Sequence, residues 1–185
     1  DYLLVHTERS IEELHDIFGI DKSKVFIHPF PIMDLTKLTN NRPNPYTNTD
    51  FLFIGHLRKD KGIEFLLESW PIFHKKCPNA KLRICGRHLP GIHFNKELLE
   101  KCNVEFNLNY ISDEDYYHYV KSTRYVILPY LQGTNSGIIS TVLSLGTDVI
   151  TSDIPMFTQN PLVSKDNMFV NANSSSLVSL LYKKY

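Results

Sequence analysis

From residue 51 onward, short runs of consecutive apolar residues alternate with longer stretches in which apolar positions recur every three or four residues. The short runs are typical of strands buried on both faces, and the longer stretches are typical of amphipathic helices. Because parallel strands need crossover connections that bring helices onto the sheet, the alternation predicts an α/β domain with a doubly wound parallel sheet. The predicted strands are 51–54, 82–85, 104–106, 125–128, 148–151 and 168–170, and the predicted helices are 63–75, 96–101, 113–121, 137–145 and 175–183. Pro71 lies inside the first of these helices, and its ring should kink or split that helix.

The first 28 residues form a separate pattern of strand, helix and strand. Apolar residues near 2–5 and 25–28 predict the strands, and the pattern from Glu8 to Phe18 predicts a helix that ends at Gly19. Residues 29–50 contain four prolines and a polar run, which together predict a linker. We therefore expect a small segment at 1–28, a linker at 29–50 and the main domain at 51–185.

The charges balance, with 20 Lys and Arg against 20 Asp and Glu in 185 residues. A chain without excess positive charge lacks the broad field of a nucleic-acid binder, so we expect no nucleic-acid partner and only a local anion site.

The apolar runs of the chain are shorter than the roughly 20 residues that span a bilayer. A length of 185 residues allows one full domain and a fragment of another. Because the chain begins with Asp1 rather than Met and ends in a helical pattern, we expect a piece of a longer protein.

Cys77, Cys85 and Cys102 are odd in number and lack the paired spacing of a disulfide framework, which indicates a reducing compartment. His88 and His93 follow Cys85 closely, but the proline and glycine between the two histidines fix no helical face of ligands. No metal site is predicted.

Two loops of the predicted sheet are the candidates for ligand binding. In an open α/β sheet, ligands bind at the carboxyl ends of the strands where the strand order reverses, typically beside the first and fourth strands. The loop after the first strand contains Gly55, Arg58 and Lys61. Glycine lets the backbone approach a ligand, and an arginine with a lysine suits a diphosphate. The alternative is a solvated turn with ordinary surface charges.

The loop after the fourth strand, residues 129–139, is rich in glycine and hydroxyl residues and leads into a helix. The unpaired N–H groups and the positive dipole end of a helix start form an anion site. The simpler interpretation is that Thr134, Asn135 or Ser136 only caps the helix. If both loops lie at the point where the strand order reverses, they face the same ligand.

Together these segments resemble the retaining glycosyltransferases of the family 4 (group 1) type, whose GT-B fold binds a nucleotide-sugar donor on a Rossmann-like C-terminal domain. The run from Phe53 to Gly62 resembles the family's loop of glycine, two variable residues, arginine, two variable residues, lysine and glycine. Further resemblances lie at 82–86, 110–115, 128–130, 136–137 and 146–150. Residues 1–28 are similar to the last strand-helix-strand of the N-terminal acceptor domain, and His28-Pro29 to the start of the interdomain linker.

The resemblance implies a transferase of polysaccharide biosynthesis that uses a nucleoside diphosphate sugar as donor, needs no other cofactor and retains the anomeric configuration. It implies a glycan or lipid-linked acceptor bound through the missing N-terminal domain. No catalytic residue is assigned, and we expect the isolated piece to be inactive. We expect a cytoplasmic location, with peripheral attachment to the inner face of the membrane as a further option.

The resemblance implies two groups of ligand-binding residues in this sequence, one for the diphosphate and one for the nucleoside. The resemblance assigns the donor diphosphate to Gly55, Arg58, Lys61, Ser136, Gly137 and Ile138. It assigns the vicinity of the nucleobase and ribose to Gly86, Tyr110, Ile111, Thr134 and Thr141.

The sequence departs from the family pattern at carboxylate positions. Many members carry two glutamates seven residues apart in the fourth loop and helix, where this chain has Thr134 or Asn135 and Thr141 or Val142. His56 stands where many members have arginine. The missing carboxylates leave open a second function, a non-catalytic domain that binds nucleotide sugars. A dinucleotide-binding oxidoreductase is disfavoured, because the loop after the first strand lacks the spaced glycines.

Overall fold

The computed structural model describes residues 1–28, 48–133 and 136–185, and the chain divides into two compact units, Asp1–Met33 and Asp34–Tyr185. In the first unit, strands β1 (Leu3–Val5) and β2 (Val25–Ile27) pair in parallel and are joined through helix α1 (Glu8–Phe18) and a 3-10 turn (Lys22–Lys24). The N-terminus of α1 is capped by the Thr7 side chain, which accepts a hydrogen bond from the Ser10 N–H. As predicted, α1 ends at Gly19, whose φ of 66° is left-handed.

The second unit has a six-stranded parallel sheet with helices between its strands. Its strands are β3 (Thr49–Ile54), β4 (Leu82–Cys85), β5 (Val104–Asn107), β6 (Thr123–Leu128), β7 (Asp148–Ser152) and β8 (Met168–Phe169). Its α-helices are α2 (Ile63–His74), α3 (Lys96–Lys101), α4 (Asp113–Lys121), α5 (Ile138–Ser144), α6 (Pro155–Thr158) and α7 (Ser174–Lys184). Short 3-10 helices occupy Lys59–Lys61 and Lys165–Asn167. This architecture confirms the predicted doubly wound α/β fold.

The strand order places the first strand of the domain at the centre of the sheet. The order is β5-β4-β3-β6-β7-β8, so β3 pairs with β4 on one side and with β6 on the other. The chain therefore winds outward in both directions from the β3–β6 pair, and the strand order reverses there. The predicted position of the ligand loops, after the first and fourth strands, is the position of this reversal.

Alternate residues of β3 supply two separate cores. Phe51 and Phe53 lie in a cluster with α2, α3 and α7, whereas Leu52 and Ile54 lie in a cluster with α4, α5 and α6. All four side chains are at most 2% exposed. A strand covered on both faces must be apolar at consecutive positions, which is why β3 appears in the sequence as a continuous run.

Helix α2 continues through Pro71 without interruption, so the predicted split is wrong. The residues on both sides of the proline are held by the core: Trp70 and Phe73 are fully buried, and the Trp70 indole N–H donates to the Cys102 carbonyl at 2.8 Å. This packing outweighs the one helical hydrogen bond that proline cannot donate. None of the helices in the described ranges is long and apolar enough to cross a membrane.

Candidate functional site

The loop after β3 lies directly beside the loop after β4. The N–H of Gly55 donates to the Cys85 carbonyl at 3.0 Å, and the N–H of Leu57 donates to the Arg87 carbonyl at 3.0 Å. Gly86 has a φ of 132°, and a β-carbon built there would lie 2.0 Å from the Gly55 carbonyl oxygen. The close approach of the two backbones therefore requires glycine at 86. Gly55 and Gly86, both predicted as site residues, lie at neighbouring strand ends.

Arg58 is half exposed in this loop and pairs with Asp60. Its Nε–H donates to Oδ1 at 2.8 Å and its Nη2–H to Oδ2 at 2.9 Å. Such a pair occupies two of the five guanidinium N–H donors, so further donors of Arg58 remain for an anion. Asp60 was not among the predicted site residues. Its position two residues after Arg58 is the one feature of the sequence that could have indicated this ion pair.

Lys61 is partly buried, and its ammonium lies against an aromatic ring. Its Nζ is 3.8 Å from the centroid of the Tyr130 ring, within the range of a cation–π contact. Partial burial lowers the pKa of the Lys61 ammonium, an effect that the nearby Asp60 carboxylate opposes. Tyr130 is 5% exposed, and its burial raises the pKa of its hydroxyl. Tyr130 lies in the segment 128–130 that resembles the family's donor loop, but the sequence predicted no contact for its side chain, because residue 61 is far away along the chain.

The loops after β3 and β6 meet, as their predicted position at the reversal of strand order requires. The N–H of Leu131 donates to the Asp60 carbonyl at 2.9 Å. Gly62 has a φ of 64°, and a β-carbon there would lie 1.8 Å from the Pro129 carbonyl oxygen. The Ser152 hydroxyl donates to the Tyr130 carbonyl at 2.5 Å, so the last residue of β7 also holds the loop after β6 in place.

Helix α5 begins just after Ser136 and Gly137. Gly137 is its N-cap residue, with φ −65° and ψ −16° and no side-chain cap hydrogen bond. The capping role considered for Ser136 is therefore not what the structure shows: the Ser136 side chain is hydrogen bonded to the Tyr130 hydroxyl. Because the Gly137 backbone is ordinary helix, its own conformation does not require glycine. Ile138 is the first residue of α5.

The residues predicted near the nucleobase and ribose occupy several elements. Gly86 follows β4, whereas Tyr110 and Ile111 lie between β5 and α4. Tyr110 is 87% exposed, and Ile111 packs on the core that contains α4 and α5. The Thr141 hydroxyl donates back to the Gly137 carbonyl within α5 at 3.2 Å. Thr134 lies outside the described residues.

Within residues 1–28, 48–133 and 136–185, no group of three or more His, Cys, Asp or Glu side chains is arranged to hold a metal ion. His88 instead makes a hydrogen bond from Nε2 to the Ile92 carbonyl at 3.0 Å.

Comparison with known proteins identifies the family. The family profile described as "Glycosyl transferases group 1" matches residues 48–181, which is nearly all of the described part of the second unit. The chain belongs to the group 1 glycosyltransferases. An uncharacterized glycosyltransferase of Methanocaldococcus jannaschii is 31% identical over 165 aligned positions, and the match covers 83% of this chain and 40% of that protein. The chain spans only 38 to 40% of the length of the curated relatives it matches.

Solved structures of glycosyltransferases share the fold. The C-terminal domain of the group 1 family glycosyl transferase LpcC from Francisella tularensis has a TM-score of 0.60 and 16% identity, covering 74% of this chain and 75% of that one. The E. coli trehalose-6-phosphate protein bound with UDP-2-fluoro glucose has a TM-score of 0.76 and 9% identity, covering 100% of this chain and 52% of that one. The second unit thus has the Rossmann-like fold of GT-B C-terminal domains.

Proposed function

We propose that this group 1 glycosyltransferase chain binds a nucleoside diphosphate sugar and contributes to transfer of the sugar to a glycan or lipid-linked acceptor. One observation carries the proposal. Arg58 and Lys61 lie together in the loop after β3, at the point where the strand order reverses, and that loop is hydrogen bonded to the loop before α5. A local pair of cations on a chain of balanced charge matches a small, strongly anionic ligand such as a diphosphate.

Charge stabilisation of the departing diphosphate is the chemistry that these groups would provide. The bond between the sugar and the diphosphate breaks more easily when fixed cations stabilise the negative charge that develops on the leaving oxygen. Arg58 offers directional donors, whereas Lys61 offers a point charge. Backbone groups at Ser136, Gly137 and Ile138, where α5 begins, would add contacts to the second phosphate. In support of this ligand class, a protein with the same fold holds UDP-2-fluoro glucose.

The nucleobase and ribose would lie beside Gly86, Tyr110 and Ile111, with Thr134 and Thr141 near the ribose. For the longer protein we propose retention at the anomeric carbon. Its acceptor contacts and catalytic groups would lie outside this chain. We place that protein in the cytoplasm, at the inner face of the membrane when its acceptor is lipid-linked. The donor is the only small molecule that the proposal requires.

A second candidate function is nucleotide-sugar binding without catalysis. Its support is that Thr141 or Val142 stands where many members of the resembled family carry a glutamate. The Thr141 hydroxyl instead donates to the backbone of its own helix. A domain without that carboxylate would keep the diphosphate contacts and lose contacts to the sugar or ribose. Release of free sugar or transfer product from a bound donor would exclude this candidate.

The experiment is a calorimetric titration of the chain with UDP, GDP and ADP, followed by their sugar conjugates. Replacing Arg58 and Lys61 with alanine should remove about 1.5 to 3 kcal/mol of binding free energy for each charge-assisted contact, which is at least tenfold in affinity for each. Lys59→Ala is the matched control, because it removes one positive charge from the same turn. Unchanged affinity in the double variant, or an equal loss in the control, would contradict the proposal.

A further inference from the structure

We propose that Tyr130 is a positioning residue of the donor site, which holds Lys61 through its ring and Ser136 through its hydroxyl. The inference rests on the proposed function and adds to it a residue that the family pattern does not assign. One buried side chain would then set the distance between the cation of the first loop and the start of α5.

The first contact of Tyr130 is between its ring and the ammonium of Lys61. Lys61 is the last residue of the 3-10 helix before α2, and its Nζ lies 3.8 Å from the centroid of the Tyr130 ring. A lysine side chain has four rotatable bonds, so a freely moving side chain would lose considerable conformational entropy when its ammonium binds a phosphate. An ammonium already held over an aromatic face has lost much of that freedom before the ligand arrives.

The hydroxyl contact is the second step. The Tyr130 hydroxyl is hydrogen bonded to the side chain of Ser136, the residue just before the N-cap of α5. Burial raises the pKa of this hydroxyl, so it remains neutral at physiological pH and adds no negative charge beside a diphosphate. The same residue therefore contacts the ammonium of Lys61 and the side chain of Ser136, whose backbone the proposed function places near the second phosphate.

The rigidity of Tyr130 is the third step. Tyr130 is 5% exposed, and its ring packs against Phe157 with centroids 5.5 Å apart. Its carbonyl accepts the Ser152 hydroxyl at 2.5 Å, and the next residue, Leu131, donates its N–H to the Asp60 carbonyl at 2.9 Å. A side chain fixed on every side transmits its position to the groups it touches, which is what a supporting residue must do.

The binding experiment compares three variants with the wild type by calorimetric titration with UDP, GDP and ADP. Tyr130→Leu removes the ring and should weaken binding of the preferred diphosphate by about tenfold. Tyr130→Phe keeps the ring and should lose only the smaller factor due to the hydroxyl. Tyr119→Leu is the matched control, because it removes an equally buried tyrosine ring from the same core, on α4, and should leave affinity unchanged.

A double-variant comparison separates positioning from a general effect on packing. In a Lys61→Met background, Tyr130→Leu and Tyr130→Phe should bind equally, because the ring has no ammonium left to hold. If the ring matters equally in both backgrounds, or not at all in the wild type, Tyr130 does not act through Lys61. Should the wild type bind none of the three diphosphates, the proposed function itself fails, a result distinct from unchanged binding in the Tyr130 variants.

A spectroscopic measurement on the wild type does not depend on whether Tyr130→Leu folds. The ε-methylene protons of Lys61 should show an upfield ring-current shift in NMR spectra, and this shift should persist when the diphosphate binds. Tyr130→Phe should keep the shift. Absence of the shift, or its loss on binding, would show that the ammonium is not held by the ring and would overturn the proposal.

Discussion

Arg58 and Lys61 lie in one short loop but have different surroundings. The Arg58 guanidinium pairs with the Asp60 carboxylate and is half exposed, whereas the Lys61 ammonium lies over the buried Tyr130 ring. An exposed ion pair contributes little free energy, so Arg58 can exchange its donors with a ligand at low cost. The sequence predicted both cations from residue type and position. It could not predict the partner of Lys61, because the contact between residues 61 and 130 exists only after β3 and β6 have paired.

Gly62 offers the first test at the residue scale. Gly62→Ala should lower the free energy of unfolding by more than the about 1 to 2 kcal/mol that a left-handed conformation alone costs, because the new β-carbon meets the Pro129 carbonyl. Gly146→Ala is the matched control, since Gly146 has a φ of 77° with nothing within 4 Å of a β-carbon. Denaturant unfolding of both variants measures the difference. Equal losses would show that the two loops do not meet as described.

Cys85 gives a pH-dependent test. Burial raises the pKa of its thiol from the ordinary 9.0 to about 12. The unfolded chain therefore loses this proton from about pH 9, whereas the folded chain keeps it until about pH 12. Its contribution to stability is full below pH 9 and declines as the pH rises, by up to about 1.4 kcal/mol per pH unit. In urea unfolding under reducing conditions, Cys85→Ala should lose less stability than the wild type between pH 8 and pH 10.5. Parallel losses would refute a buried, neutral Cys85.

At the scale of elements, the hydrophobic pattern predicted the sheet well and the connections less well. Continuous apolar runs marked the six strands, but β3 and β6 each begin two residues earlier than predicted, at the polar positions Thr49 and Thr123. These two residues extend the strands because they are partners in the parallel register, which no local pattern reveals. The four-residue helix α6 was not predicted, since so short a segment shows no periodicity.

An ion pair links β4 to β5, and its arginine is buried whereas its glutamate is half exposed. The Arg83 side chain is 6% exposed, the Glu105 side chain is 50% exposed, and they meet at 2.8 Å. Arg83 and Glu105 are direct neighbours in the parallel register. Removal of the glutamate charge would leave a buried guanidinium with fewer partners, which is costly in proportion to the burial.

Glu105→Gln should therefore lower the free energy of unfolding by about 1 to 2 kcal/mol, between the values typical of surface and of buried pairs. The control is Glu97→Gln on α3, where Glu97 and Lys101 pair at 2.8 Å with side chains 81% and 70% exposed. That change should cost about 0.5 kcal/mol or less. Denaturation at low and high salt measures both variants. An equal effect of the two changes would mean that the Arg83 environment is not as buried as described.

At the scale of the whole molecule, the first unit differs from the second in how little it buries. Val25 is the only buried residue among residues 1–28, and Tyr2, Leu4 and Phe18 are each at least 70% exposed. Apolar surface of this kind is usually covered in a complete protein. Together with matches that cover only 38 to 40% of the curated relatives' length, it supports the proposal of a longer protein with further groups for the acceptor.

The chain alone should therefore bind a donor without transferring its sugar. The reason is that the proposed function leaves the acceptor contacts and the catalytic groups to the longer protein. Mass spectrometry of reactions with UDP-, GDP- and ADP-sugars and a panel of glycan acceptors checks this. Transfer above the rate of a control without protein would show that these 185 residues contain the catalytic groups.

The most direct test of the central claim is the location of the bound diphosphate on the sheet, mapped by backbone amide shifts in NMR titrations with UDP, GDP and ADP. The largest shifts should fall at residues 55–62 and 136–141, which follow the carboxyl ends of β3 and β6. Residues 48–50 and 121–124, at the amino ends of the same two strands, provide the internal reference. Shifts concentrated at the amino ends of the strands, or spread evenly over the surface, would contradict a donor site built on Arg58 and Lys61.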